Sequence, residues 1–281
     1  MKEFIEILKV IFLGIVEGIT EWLPISSTGH MILVDEFLHL DVSDAFKEMF
    51  FVVIQLGAIL AVPVVFFKRL FPFSRSSTPD EKKKIWSLWF KVAVGVLPAG
   101  ILGFLLDDIL DTYLYNFVVV AIALIFYGVA FILIEKLKGK DDYRIDNVYD
   151  ITYKDALIIG CYQTLSLIPG TSRSGSTILG GMLSGVSRTA AAEFSFFLAI
   201  PIMVGASGLK VLKFVLSGFT ATPFELLLLF IGIAVSFIVS LVVIEFLMSF
   251  VKKHSFKAFG IYRIALGALV MVYFVSKLIF A

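Results

Sequence analysis

Residues 17–30 read Glu-Gly-Ile-Thr-Glu-Trp-Leu-Pro-Ile-Ser-Ser-Thr-Gly-His, and the fold turns on how this stretch is read. It interrupts an apolar segment. Val10–Val16 lead into it and Met31–Val34 follow it, so the chain passes between two apolar helical arms through a Pro/Ser/Thr/Gly break. Arms of roughly 12–18 residues are too short to cross a hydrocarbon core twice, since each crossing takes about 20 residues. Residues 4–39 are therefore expected to form a re-entrant helical hairpin. Irregular backbone at membrane depth persists only where protein buries it or it lines a wet cavity. The break should thus belong to a site.

A second copy of the pattern follows about 146 residues later. Leu13-Gly14-x-x-Glu17 parallels Ile159-Gly160-x-x-Gln163. Pro24-Ile-Ser26-Ser27-Thr28-Gly29 parallels Pro169-Gly-Thr171-Ser172-Arg173-Ser174-Gly175, with one extra residue in the second copy, and Phe50-Phe51 parallels Phe196-Phe197. Residues 155–187 are the second expected hairpin. Each hairpin is followed by three apolar segments of spanning length, 47–67, 90–106 and 116–137 after the first and 193–216, 224–250 and 258–280 after the second. Because three crossings reverse direction, the halves, 1–140 and 150–281, should be inverted relative to each other. The expected fold class is an all-α integral membrane protein: an inverted-topology repeat, each half a re-entrant helical hairpin plus three transmembrane helices, with both hairpins meeting at one central site.

Composition agrees. Of 281 residues 59% are hydrophobic and 17% charged, against about one half and one quarter in a soluble domain. Lys2 and Lys9 before an apolar run resemble a signal peptide, but Glu3, Glu6, Glu17 and Glu21 interrupt it and no small-residue cleavage site follows, so the segment is expected to stay in the mature protein. The net charge of +1 offers no basic surface for nucleic acid. A single cysteine, Cys161, excludes an internal disulfide and reads as a small apolar helix residue. Three histidines are too few and too scattered for a His-only metal cage, and no G-x-x-x-x-G-K-[ST] occurs to hold a nucleotide.

Lys and Arg set the expected orientation. Residues 68–91 carry Lys68, Arg69, Arg75, Lys82, Lys83, Lys84 and Lys91, and 252–257 carry Lys252, Lys253 and Lys257, whereas the loop expected at 107–115 holds Asp107, Asp108 and Asp111. The positive-inside rule makes the first two cytoplasmic and the third external. Both termini then lie outside, and the hairpin bearing Glu17, Ser27 and His30 enters from the exterior.

Glu17 and Glu21 project from one face of an apolar arm, a turn apart. At the bilayer centre each costs roughly 2.5–3.5 kcal/mol on insertion scales, so something must compensate. One reading puts the arm at the interface with its carboxylates in water; the sharper one makes them a pair that binds a divalent cation or moves a proton. Gly14 and Gly18 on the same arm would let a neighbouring backbone come close. Ser26, Ser27, Thr28 and Gly29 open the next arm and could present backbone N–H groups to an anion. Ser27 or the imidazole of His30 is a candidate nucleophile, with His30 also placed for acid–base work. In the second break Arg173 stands among Thr171, Ser172 and Ser174, a forked cation suited to phosphate or carboxylate; the alternative is a structural pair with Glu17 or Glu21, and both roles can hold at once. Gln163 reads as a polar site residue or a packing hydrogen bond. Arg188 and Glu193 read as a boundary pair, and Pro63, Pro98 and Pro201 as kinks.

The segments Glu17-Gly-Ile-Thr-Glu21-Trp-Leu-Pro24-Ile-Ser-Ser-Thr-Gly-His30 and Pro169-Gly-Thr-Ser-Arg-Ser-Gly175 resemble the two signatures of the undecaprenyl-diphosphate phosphatase family, also called the bacitracin-resistance protein family, and the likeness runs over nearly the whole chain. It implies hydrolysis of undecaprenyl diphosphate to the monophosphate and inorganic phosphate, recycling of the cell-wall carrier lipid, and bacitracin resistance. It also implies a multi-pass protein of the bacterial cell membrane that uses a divalent cation, Mg²⁺ or Ca²⁺. Carried over by residue, Glu17 and Glu21 would serve the cation or the diphosphate, Ser26 and Ser27 the phosphate, His30 acid–base or nucleophilic chemistry, and Arg173 the phosphate charge. The rival class is a polyprenyl-phosphate transporter or flippase, whose layout also uses inverted repeats and broken helices. Whether Ser27, His30 or water attacks stays open at this level, as does assembly into a homodimer.

Overall fold

The computed structural model describes residues 1–74, 77–114, 116–137 and 143–280. Arg75 therefore lies outside the described residues. Eleven α-helices make up the described chain: α1 Lys2–Thr20, α2 Ser27–Phe37, α3 Asp44–Val65, the single turn α4 Phe67–Leu70, α5 Pro79–Leu114, α6 Phe117–Leu137, α7 Tyr153–Thr164, α8 Arg173–Leu183, α9 Arg188–Leu216, α10 Pro223–Lys253 and α11 Lys257–Phe280. Six of them, α3, α5, α6, α9, α10 and α11, are long and apolar enough to cross a membrane. The protein is an all-α integral membrane protein.

Local chemistry explains where helices start. Ser43 caps α3 through the Phe46 amide, Ser187 caps α9 through Ala190, and α7 and α10 open on reciprocal capping boxes, Thr152 with Asp155 and Thr222 with Glu225. One expectation needs correction. Residues 107–114, read as part of an external loop, are the final turns of α5, which is 36 residues long; three aspartates at a helix end do not stop it. Pro63, Pro98 and Pro201 all lie inside helices.

Backbones meet at glycines, as packing between helices in lipid requires. A Cβ on Gly18 would lie 2.8 Å from the Ser236 carbonyl of α10, one on Gly57 of α3 2.2 Å from that of Ile233, and one on Gly160 of α7 2.3 Å from that of Gly95 in α5. Thus α1 leans on α10 while α7 leans on α5. Gly128 and Gly260 bring α6 and α11 together in the same way.

The end of the molecule that carries the basic segments is tied by ion pairs between distant elements: Arg69 with Glu193, Arg144 with Asp155, and Arg188 with Glu135. Arg188 and Glu193 do not pair with each other, so the boundary-pair reading is wrong. Arg188 finds its partner on α6 and Glu193 finds its partner on α4. Cys161 is exposed rather than packed inside, and its small apolar side chain faces outward on α7.

Candidate functional site

The two breaks form matching turns. Ser26 and Ser172 are the only described non-glycine residues with positive φ, both at 73°. Each caps the helix that follows: the Ser26 hydroxyl accepts from the Gly29 amide at 3.2 Å, and that of Ser172 from Gly175 at 3.1 Å. Side chains seldom tolerate this backbone region, and such residues concentrate where a site needs a fixed loop. The turn delivers Ser27 as the first residue of α2 and Arg173 as the first residue of α8.

Both reach the same carboxylate. The Ser27 hydroxyl donates to Glu21 Oε2 at 2.7 Å, while Arg173 Nη2 donates to Glu21 Oε1 at 2.9 Å. Arg173 Nη1 donates to the Ser195 carbonyl at 2.6 Å, and its guanidinium lies 5.8 Å from the Trp22 ring centre. Ser174 reaches back from the second break to the carbonyls of Glu21 and Leu23, at 3.2 and 3.3 Å. Ser27 of α2 and Arg173 and Ser174 of α8 thus converge on Glu21, which caps the end of α1. All are buried.

Glu17, one turn earlier, is wholly buried. Neither of its carboxylate oxygens has a hydrogen-bond partner, and the charges that act on it are those of Glu21 and Arg173. An ionised carboxylate without a donor is costly inside a protein, so Glu17 has capacity for a further positive partner. Gln163 is also fully buried with both amide atoms unpartnered; the helix-packing hydrogen bond considered for it does not form.

His30 turns a different way. Its Nδ1 lies 2.7 Å from the Ser26 carbonyl, which can only accept, so this nitrogen carries the proton. Nε2 lies 2.6 Å from the Tyr262 hydroxyl, which donates to it, and the two rings stack at 5.6 Å. Both ring nitrogens of the neutral imidazole are therefore engaged. Thr28 is half-buried in the first turn of α2, and Thr171 is buried in the second break.

Three neighbours escaped the sequence reading: Ser195, Tyr262 and Arg263. Arg263 was the one with a signal, since it is a charged residue well inside the apolar segment 258–280, and intramembrane charge is rarely idle. Tyr262 and Ser195 belong to no local motif.

Comparison with known proteins covers the span that holds Glu17, Glu21, Ser27 and Arg173. The family described as bacitracin resistance protein BacA matches residues 10–269. The chain is 63% identical over 272 residues to an undecaprenyl-diphosphatase of Enterococcus faecalis, covering 96% of this chain and 98% of that protein. It is 55% identical over 276 residues to the undecaprenyl-diphosphatase of Desulfitobacterium hafniense, covering 98% of each. Undecaprenyl-diphosphatase 1 of Clostridioides difficile is 55% identical over 270 residues, 96% of this chain and 97% of that one. With its two breaks converging on Glu21 inside the matched span, the chain belongs to the bacitracin resistance protein BacA family.

Proposed function

We propose that this protein is an undecaprenyl-diphosphate phosphatase, releasing inorganic phosphate and the lipid monophosphate, and thereby recycling the cell-wall carrier lipid and conferring bacitracin resistance. One observation carries the chemistry: Glu21 accepts from the Ser27 hydroxyl with one oxygen and from Arg173 with the other. A hydroxyl in hydrogen-bond contact with a carboxylate base is an activated nucleophile, and the forked cation beside it suits the charge of a phosphate in transfer.

In this reading Ser27 Oγ attacks the terminal phosphorus in line with the bridging oxygen. Glu21 takes the hydroxyl proton, the bond to the bridging oxygen breaks, and Glu21 passes the proton to the departing lipid phosphate. Water then attacks the phosphoserine, losing its proton to Glu21, which returns it to Ser27 Oγ as inorganic phosphate leaves. Arg173 holds phosphate oxygens throughout. His30 is better placed to steady the turn after Ser26 than to attack, since Tyr262 covers its Nε2.

A divalent cation, Mg²⁺ or Ca²⁺, fits the unpartnered oxygens of Glu17. Glu17 and Glu21 would hold it, and it would neutralise the charge that gathers on the diphosphate oxygens. Among the described residues no third His, Cys, Asp or Glu joins these two, which leaves coordination positions for substrate and water, as Mg²⁺ usually has.

The proposed entry is from the extracytoplasmic side. A cavity of about 610 Å³ opens between α2 and α3, lined among others by Met31, Ile32, Asp44, Lys47 and Phe51. These α3 residues lie at the end opposite the basic segment that begins at Lys68. Mixed polar and apolar walls suit a hydrated head group on a long hydrocarbon chain. The inverted repeat is part of the same proposal, supported by the matching Ser26 and Ser172 turns and by the reciprocal seating of α1 on α10 and α7 on α5.

Purified protein given a polyprenyl diphosphate should release phosphate, stop when a chelator is added, and lose turnover by about 10³-fold or more in Ser27→Ala, the scale seen when a nucleophile is removed. Lipid movement across vesicles without phosphate release would instead favour the transporter reading.

A further inference from the structure

The last helix carries a buried charge that this reaction scheme does not use. Arg263 of α11 has no solvent exposure, and among the described residues no carboxylate pairs with it. Its partners are main-chain carbonyls. Nη1 donates to Pro24 at 3.1 Å, and Nη2 donates to Gly170 at 2.8 Å and Thr171 at 2.9 Å. The guanidinium also lies 5.6 Å from the ring centre of Tyr127.

Those carbonyls come from both breaks. Pro24 stands two residues before Ser26, and Thr171 immediately precedes Ser172, so one rigid side chain ties together the two turns that launch α2 and α8. A cation in this position is expensive to bury without a counter-charge, and its planar fork is what lets it reach divergent acceptors; a lysine ammonium has neither the span nor the fixed geometry. We infer that Arg263 is a positioning residue of the phosphatase site: it holds the two breaks in register so that Ser27 and Arg173 meet on Glu21. It touches no reacting atom, and it acts only through the loops. This rests on the phosphatase reading.

The test compares wild type, Arg263→Lys and Tyr127→Leu in detergent, measuring phosphate release from polyprenyl diphosphate alongside thermal unfolding. Release by the wild type is the precondition, and its absence would count against the phosphatase reading rather than against Arg263. Given release, Arg263→Lys should lower kcat per folded molecule by 30-fold or more, on the order of what a mispositioned catalytic pair costs, with KM changed less than about 3-fold. Wild-type kcat in folded Arg263→Lys, or a loss that only tracks the folded fraction, overturns the inference. Should that variant not fold, Tyr127→Leu decides. It withdraws the ring beside the guanidinium and leaves both loops' sequences intact, so a kcat lowered about 3-fold or more at unchanged KM supports the inference, and wild-type kcat overturns it.

Discussion

Glu17 in α1 and Glu21 at its C-cap stand one turn apart in different electrostatic circumstances. Glu21 accepts from Ser27 and Arg173, one on each oxygen, while Glu17 is buried with no donor. Replacing each by glutamine should therefore act unequally on stability. Glu17→Gln exchanges a buried carboxyl without a donor for an amide of the same shape and should change stability in chelator by less than about 1 kcal/mol, while abolishing any further rise on adding Mg²⁺. Glu21→Gln leaves Arg173 buried without its counter-charge and should cost about 1–3 kcal/mol, with turnover lowered about 100-fold or more through loss of the base. Unfolding scans of both variants with and without Mg²⁺, paired with phosphate release, check this. If both variants destabilise equally, Glu17 has a partner that its geometry does not reveal. At this scale Glu21, Ser27 and Arg173 were legible as candidates in the sequence, because intramembrane charge and hydroxyl-rich breaks are conspicuous. It could not show that Glu21 is shared between Ser27 and Arg173, since that depends on a fold that brings residues 152 positions apart together.

The helices themselves were legible from apolar length, and the capped starts of α3, α7, α9 and α10 lie within a few residues of the expected positions. Helix ends were less so. α5 runs on through its aspartates, because in the absence of proline or a capping glycine nothing local stops it. Packing between helices depends on close backbone approach, which leaves only small residues in the sequence as a trace. Gly160→Ala would place a Cβ 2.3 Å from the Gly95 carbonyl and push α7 off α5, whereas Gly205 of α9 has nothing within 4 Å of the same added atom. The first substitution should cost about 1–3 kcal/mol; the second should be neutral or stabilise by up to about 1 kcal/mol, as alanine does in a helix interior. Thermal unfolding in detergent separates them. Equal behaviour would mean that α7 can slide along α5 without penalty.

For the whole molecule the prediction concerns which membrane face the site serves, and it joins the charge distribution to the position of the cavity. Cationic side chains cluster at Lys68–Arg69 and Lys82–Lys84, which the positive-inside rule places in the cytoplasm. The cavity beside α2 lies at the other end of α3, around Asp44 and Lys47. A diphosphate head group is too strongly hydrated to travel through hydrocarbon, so its route to Ser27 should pass through that polar opening while the lipid chain stays between helices. The pairing of Arg69 with Glu193, Arg144 with Asp155 and Arg188 with Glu135 ties elements together at the opposite end. Single cysteines report the difference in a Cys161→Ala background. In intact cells a membrane-impermeant thiol reagent should label Asp44→Cys in the cavity, and should label Lys83→Cys on the basic face only after permeabilisation. The reverse pattern would put hydrolysis inside the cell, where the lipid monophosphate would be released directly to the enzymes that reload it.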